Sequence, residues 1–248
     1  MPNATTNTPA IDCRDLRFRW HRGGPLVLDL PALRVDRGEK VFIAGPSGSG
    51  KTTLLSLLTG VGVAETGRVK VLGQDLAALS GSRRDHFRAD HLGYIFQLFN
   101  LLPYLSLLEN VLLPCRFSRR RRENAGGRPS ALRAEALRLL AHLDLADPRL
   151  LRQPVAQLSV GQQQRVAAAR ALIGGPELVI ADEPTSSLDM DRRESFVKLL
   201  FAECARQGAT LVMVSHDHSL EHLFDRSIQL AAINRAQPDV AGEAAWQP

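Results

Sequence analysis

The sequence predicts an α/β fold, with a parallel sheet covered by helices, a small antiparallel layer at its start and an inserted helical lobe. Three observations point there. Short apolar runs, Val41-Phe42-Ile43-Ala44, Leu178-Val179-Ile180-Ala181 and Leu211-Val212-Met213-Val214, recur along the chain, each followed by polar residues and helix-like sequence. Two alternating stretches precede them. Between the first run and the second, the pattern turns helical.

The alternating stretches, Ile11 to Trp20 and Leu26 to Val35, are joined by His21-Arg22-Gly23-Gly24-Pro25, whose glycines and proline suit a turn between antiparallel strands. Val41 to Ala44 is a buried parallel strand ending in a glycine-rich loop, and a helix follows from about Lys51 to Leu58. From Ala131 to Leu143 the residues Leu132, Leu137, Leu140 and Leu143 share one helical face, with Arg133, Glu135 and Arg138 between them. The expected domains are therefore a disordered N-terminus at 1–10, one α/β domain at 11–233 with its helical lobe at about 99–158, and a C-terminal tail at 234–248.

The 248 residues are 44% hydrophobic and 23% charged, enough for one sizeable core and unlike a disordered or fibrous chain. The basic excess is only +5, which is weak support for a nucleic-acid partner; 27 of the 31 basic residues are arginine. Cys13, Cys115 and Cys204 are too far apart for a C-x-x-C clip. They read as reduced packing thiols of a cytoplasmic protein. The polar start lacks the pattern of a secretory signal. The longest near-apolar run, Leu54 to Ala64, falls short of the roughly 20 residues that span a bilayer.

Gly45-Pro46-Ser47-Gly48-Ser49-Gly50-Lys51-Thr52, followed by Thr53, matches G-x-x-x-x-G-K-[ST] with a strand before and a helix after. Glycines let the backbone wrap phosphates, so that amide N–H groups and the positive end of the helix face the anion. Lys51 would reach the β- and γ-phosphates, and the Thr52 hydroxyl would ligate Mg²⁺. A chance Gly/Ser loop is a minor competitor, since the chain's composition gives roughly 0.002 such matches at random.

Leu178 to Ala181 delivers Asp182 and Glu183 at a strand end, where open α/β sheets bind ligands. Alone, such a pair is more often a solvated strand end. Beside a phosphate loop, Asp182 would hold Mg²⁺ and Glu183 would polarise the water that attacks the γ-phosphate.

Leu158-Ser159-Val160-Gly161-Gln162, before a helical stretch from Val166 to Ile173, resembles the L-S-G-G-Q signature of the ATP-binding cassette (ABC) transporter family. Taken by itself the segment is a helix capped by Ser159. The resemblance covers residues 11 to 230 and implies a P-loop NTPase (RecA-like) core. It implies that Ser159, Gly161 and Gln162 bind the γ-phosphate of ATP held by a second copy, in a head-to-tail sandwich. It also gives Gln97 the Q-loop role, touching Mg²⁺ and sensing a transmembrane permease subunit. Asp189 takes the D-loop role and His216 that of the switch that contacts the γ-phosphate. Trp20, with Phe18 as the fallback, takes the place of the aromatic that stacks on adenine. The cofactors implied are ATP and Mg²⁺.

The run Phe96 to Pro103, with Glu109-Asn110-Val111 and Pro114, resembles the MacB/LolD-type branch that powers macrolide export and lipoprotein release. That branch implies an ATPase peripheral on the inner face of the cell membrane, held there by permease subunits. The competing reading is a soluble cassette ATPase acting on nucleic acid or ribosomes. Its relatives separate the motifs with coiled coils or zinc modules, whereas Lys51 and Ser159 are only 108 residues apart, with no heptads or C-x-x-C between them.

Val160 departs from the family's glycine. At negative φ a β-branched residue is tolerated there and otherwise it is strained, so a working site of reduced rate is expected. His216, His218 and His222 suit a metal poorly, because i and i+2 do not share a helix face. Arg119 to Arg122 reads as a solvated loop between helices. Phe99, Leu101, Leu102, Tyr104 and Leu105 are expected to divide between lobe core and a groove for a coupling helix of the membrane partner.

Overall fold

The computed structural model describes residues 8–151, 153–186 and 188–236. Most of the expected N-terminal segment and the tail beyond 236 lie outside the described residues. Strands β1 (Ile11–Phe18) and β2 (Leu28–Val35) form the expected antiparallel pair, with Ile11 opposite Val35 and Phe18 opposite Leu28. The next strand, β3 (Lys40–Ala44), belongs to a different sheet, and helix α1 (Lys51–Leu58) follows it at the predicted bounds. Strands β4 (Thr66–Val71) and β5 (Gln74–Asp75) then extend the first sheet in the order β2-β1-β4-β5.

Helix α2 (Gly81–His91) leads into β6 (Leu92–Ile95), and four helices follow: α3 (Leu107–Leu112), α4 (Pro114–Phe117), α5 (Arg119–Asn124) and α6 (Pro129–His142). Helix α7 (Val160–Leu172) returns to β7 (Leu178–Asp182). Helix α8 (Met190–Gln207) precedes β8 (Thr210–Ser215), and β9 (Arg226–Gln229) with α9 (Leu230–Ile233) closes the described chain. The second sheet is wholly parallel, in the order β6-β7-β8-β3-β9.

Side-chain alternation explains why the parallel strands read as unbroken apolar runs. Phe42, Val179, Ala181, Leu211 and Met213 face one core, shared with α3, α6, α7 and α8. Val41, Ile43, Leu178, Ile180, Val212 and Val214 face the other, shared with α1 and the antiparallel sheet. Both faces are covered, so neither parity of a strand meets water.

Two expectations are corrected. Arg119 to Arg122 is not a loop: it opens α5, whose N-cap Ser118 accepts from the Arg121 amide. Arg121 is 3% exposed and its guanidinium donates to the carbonyls of Leu92, Ala171 and Ile173, closing the C-terminal end of α7. Arg119 pairs with Glu123 and Arg120 with Glu177. Periodicity missed this because a run of one residue type has no apolar face. Nor does a tail begin at 234. Asn234 and Arg235 hydrogen-bond the backbone of β2 at Asp29.

Glu203 on α8 is fully enclosed and binds Arg138, Arg206, His142 and Gln207, tying α8 to α6. Burial alone would raise its carboxyl, but hydrogen bonds from Arg206, Arg138 and Gln207 outweigh burial and hold it at about 2, against an ordinary 4.5. A depressed carboxyl stabilises the fold fully above pH 4.5 and loses that contribution as the pH falls from 4.5 toward 2. The difference amounts to about 3 kcal/mol. Glu203→Gln should therefore remove that acid limb, measured as urea midpoints against pH. Parallel curves for parent and variant would disprove the assignment.

Candidate functional site

The C-terminal ends of β3, β6, β7 and β8 lie at one edge of the parallel sheet, with Ala44 opposite Ser215, Asp182 opposite Val214 and Ile95 opposite Ala181. The loops leaving those ends enclose a cleft of about 630 Å³. Ser47, Gly48, Gly50, Lys51, Thr52 and Thr53 form its floor, and Trp20 and Val27 one wall. Gln97, Asp182, Glu183 and His216 also line it.

The loop between β3 and α1 has the geometry of an anion cradle. A Cβ on Gly45 would lie 2.6 Å from Ser49 Oγ, a buried hydroxyl with no hydrogen-bond partner among the described residues. Gly50, at φ 95°, is the N-cap of α1, and a Cβ there would meet Leu28 at 2.8 Å. Gly50 is required by its left-handed φ, and a Cβ at either position would also crowd a neighbouring side chain. Lys51 Nζ donates to the carbonyls of Gly45, at 2.6 Å, and Pro46, at 2.8 Å. Ordinary loop carbonyls hold the ammonium at the cleft floor without neutralising it.

Asp182 and Glu183 follow β7. Burial and the neighbouring Glu183 charge push the Asp182 carboxyl above its ordinary value, against the Tyr94 hydroxyl and Lys51. Burial and Asp182 likewise push the Tyr94 phenol up. Glu183 has φ 47°, a left-handed conformation that costs a non-glycine residue about 1–3 kcal/mol. Its amide donates to Val214 O, which fixes the turn across to β8. His216 Nδ1 lies 2.6 Å from Glu183 Oε2, but off the hydrogen-bond angle, so this enclosed oxygen accepts no hydrogen bond among the described residues. His218 and His222 turn away, to Glu221 and the Ser219 carbonyl.

Trp20, exposed and packed edge-to-face on Phe18 at 5.0 Å, stands at the cleft. Phe18 is buried among core residues, which removes it as the alternative.

Ser159, Gly161 and Gln162 do not reach this cleft. They line a separate hollow with Leu188 and Arg192. Ser159 caps α7 in a capping box: its hydroxyl accepts from the Gln162 amide, and Gln162 Oε1 accepts from the Ser159 amide. Asp189 caps α8 by accepting from the Arg192 amide. Val160 is the first residue of α7, outside the positive-φ residues, so the feared backbone strain is absent. Ser187, two residues before Asp189, lies outside the described residues.

A family model for ABC transporters matches residues 28–186. The chain belongs to the ABC transporter family. It is 38% identical over 220 residues to the lipoprotein-releasing system ATP-binding protein LolD of Porphyromonas gingivalis, covering 89% of this chain and 95% of that one. It is 44% identical over 198 residues to the macrolide export ATP-binding/permease protein MacB of Bradyrhizobium diazoefficiens, covering 80% of this chain but only 29% of that one. Among solved structures, the dimeric ABC transporter cassette MJ0796 superposes with a TM-score of 0.79 at 34% identity, over 88% of this chain and 93% of that one. The same cassette has been solved in a post-hydrolysis state bound to ADP and Pi. As a member of this family the chain is an ATP-binding cassette and an ATPase.

The cassette also uses residues that sequence reasoning passed over. Asn234 satisfies all of its amide valences: Nδ2 donates to Val27 O at 3.0 Å and Ser49 O at 3.4 Å, and Oδ1 accepts from the Asp29 and Ala236 amides. It holds the Val27 wall against the phosphate loop. A lone asparagine after an apolar stretch carries no pattern that would reveal this. Asn234→Ala should weaken ATP and ADP binding alike, by roughly fivefold for a net loss of about 1 kcal/mol. Fluorescent-nucleotide titration checks it, and a loss confined to ATP would contradict it.

Proposed function

We propose that this chain is the ATP-hydrolysing subunit of a membrane transporter of the MacB/LolD type, working as a head-to-tail pair beneath permease subunits. The observation that carries the proposal is the division of the site. Lys51, Asp182, Glu183 and His216 share one cleft, while the signature residues face away from it on the same chain. A Cβ on Gly161 would meet nothing of its own chain closer than Leu188 at 3.7 Å. The demand for glycine there comes from outside the protomer, which suits a nucleotide held by a second copy.

In this mechanism the phosphate loop and Lys51 bind the triphosphate, with Trp20 against the base. Thr52, Gln97 and Asp182 supply a hydroxyl, an amide carbonyl and a carboxylate, the hard oxygen set that suits Mg²⁺. The enclosed Asp182 carboxylate, its neutral form favoured by burial and by Glu183, gains from a nearby cation. When bound, Mg²⁺ neutralises charge on the transferring phosphoryl group. Glu183 Oε2, enclosed and without a hydrogen bond, takes the proton of the attacking water. His216, with Nδ1 2.6 Å from that oxygen, pairs with the carboxylate and contacts the γ-phosphate. Ser159, Gly161 and Gln162 of a second copy close over the same phosphate, with Asp189 at the seam.

No helix among the described residues is long and apolar enough to cross a membrane. The proposed place is peripheral, on the inner membrane face. A groove of about 820 Å³ supplies the docking surface, lined by Val61, Ala89, Tyr94, Phe96, Pro114 and the exposed Phe117. It replaces the groove expected from Phe99, Leu101, Leu102, Tyr104 and Leu105, none of which line it. Phe99 is buried, and Leu101 packs on the core shared by the lobe and the sheet.

Glu183→Gln should give persistent ATP-bound dimers with turnover lowered at least 100-fold, read by size exclusion with ATP and by phosphate release. Hydrolysis at the parental rate would assign the step to another residue. Phe117→Glu should abolish detergent-dependent copurification of a membrane partner while the isolated cassette still binds ATP. If nuclease-sensitive nucleic acid copurifies instead, the transport reading fails.

A further inference from the structure

Tyr94 stands in the wall between the groove and the nucleotide cleft. It lies on β6, opposite Ile180, two residues before Asp182 on the neighbouring strand. Its ring lines the groove, with its centroid 4.2 Å from that of Phe96. Its hydroxyl donates to Asp182 Oδ2 at 3.4 Å. Among the described residues this is the one hydrogen bond the Asp182 side chain accepts. Thr52 is the residue that lines both spaces. Tyr94 and Thr52 thus join the groove to the cleft, one through its hydrogen bond to Asp182 and the other by lining both.

A carboxylate with no fixed donor rotates freely, so the geometry it offers a cation is not set in advance. Partners that hydrogen-bond a ligating group orient it, and their removal typically lowers metal affinity by about 10–100-fold. Tyr94 meets that description for Asp182 and differs from an ordinary buried partner in one respect. The stack of its ring on Phe96 belongs to a surface open for docking. Pressure on Phe96 reaches the hydroxyl through a rigid ring, whose two χ angles leave little slack.

We propose that Tyr94 is a positioning residue whose hydroxyl orients the Asp182 carboxylate for the nucleotide's metal, and whose stack on Phe96 makes that orientation respond to the permease segment proposed above to dock in the groove. The proposal rests on the assignment of Asp182 to Mg²⁺ made above. It gives the cassette a line from docking surface to metal that runs through β6 itself, separate from Gln97.

The test uses the whole chain and measures affinity for a fluorescent ATP analogue across a Mg²⁺ titration, with melting temperature alongside. Tyr94→Phe keeps the ring and removes only the donor. Its Mg²⁺-free affinity and melting temperature should match the parent, while the Mg²⁺ midpoint shifts up about 10-fold. Phe96→Ala, outside the cleft, should shift the midpoint in the same direction by about 3-fold through the loosened ring. Asp182→Asn should abolish the Mg²⁺ dependence. If Asp182→Asn does so and Tyr94→Phe titrates like the parent, the positioning role is overturned. A parental midpoint for Phe96→Ala overturns the link to the groove. If Asp182→Asn keeps its Mg²⁺ dependence, the metal assignment itself falls.

Discussion

Everything the cassette does depends on four parallel strands ending at one edge. Antiparallel neighbours would send alternate strand ends to opposite edges and scatter the polar groups. Here β6, β7, β8 and β3 run together, so the turns that carry Gln97, Asp182, Glu183, His216 and the phosphate loop open on one cleft. Parallel pairing requires crossovers and coverage of both sheet faces. The antiparallel sheet with α1 covers one face, and the helical lobe with α7 and α8 covers the other. The cost of such a sheet, long connections closed before the pairing forms, thus becomes the second working part of the molecule.

Besides the Arg138–Glu203 ion pair, the lobe is fastened to the core by two arginines that bind carbonyls. Arg121 closes the end of α7. Burial lowers its guanidinium to about 10, still cationic at neutral pH. Arg170, from α7, donates to Phe99 O and Asn100 O, two consecutive residues at positive φ just beyond Gln97. Left-handed non-glycine pairs persist only where the surroundings over-determine them. The planar fork of arginine satisfies two or three carbonyls at once, which the single ammonium of lysine does poorly. The same preference is visible in the composition, with 27 arginines to four lysines. Because the segment after Gln97 is pinned to the signature helix, the two cannot shift independently.

Much of this was legible in the sequence, and the rest was hidden for physical reasons. Three strands of the parallel sheet, β3, β7 and β8, and the bounds of α1 followed from apolar runs and a glycine-rich loop, whereas β9 is too exposed to show as such a run. Those signals are local. The short helices α3, α4 and α5 lack the two or three turns over which a 3.6-residue period becomes visible. Helix α2 has no buried residue to mark a face. The apolar groove beside Phe96 is not legible along the chain, because exposure is not periodic. Tyr104, between partly buried Leu102 and Leu105, is 75% exposed, while Phe96 and Phe117, separated by 21 positions, line one groove. The hydroxyl of Tyr94 and the amide of Asn234 act across strands and loops, and no spacing along the chain encodes that.

Val160 shows how folding and function separate at the signature. The turn that starts α7 is made by Ser159 and Gln162, each capping the other's backbone, and residue 160 supplies only a helical φ. A glycine there would be neutral or slightly unfavourable for the helix, since it frees the unfolded chain. Nothing within the protomer therefore calls for glycine at 160, and valine stands half-exposed on the outer side of the turn. In the two-copy arrangement proposed above, that side would face the phosphates of the other protomer, where two methyl groups crowd the approach without touching the capping box. On that proposal the substitution bears on the closing of the pair, and through it on the rate, and leaves the stability of the single cassette alone.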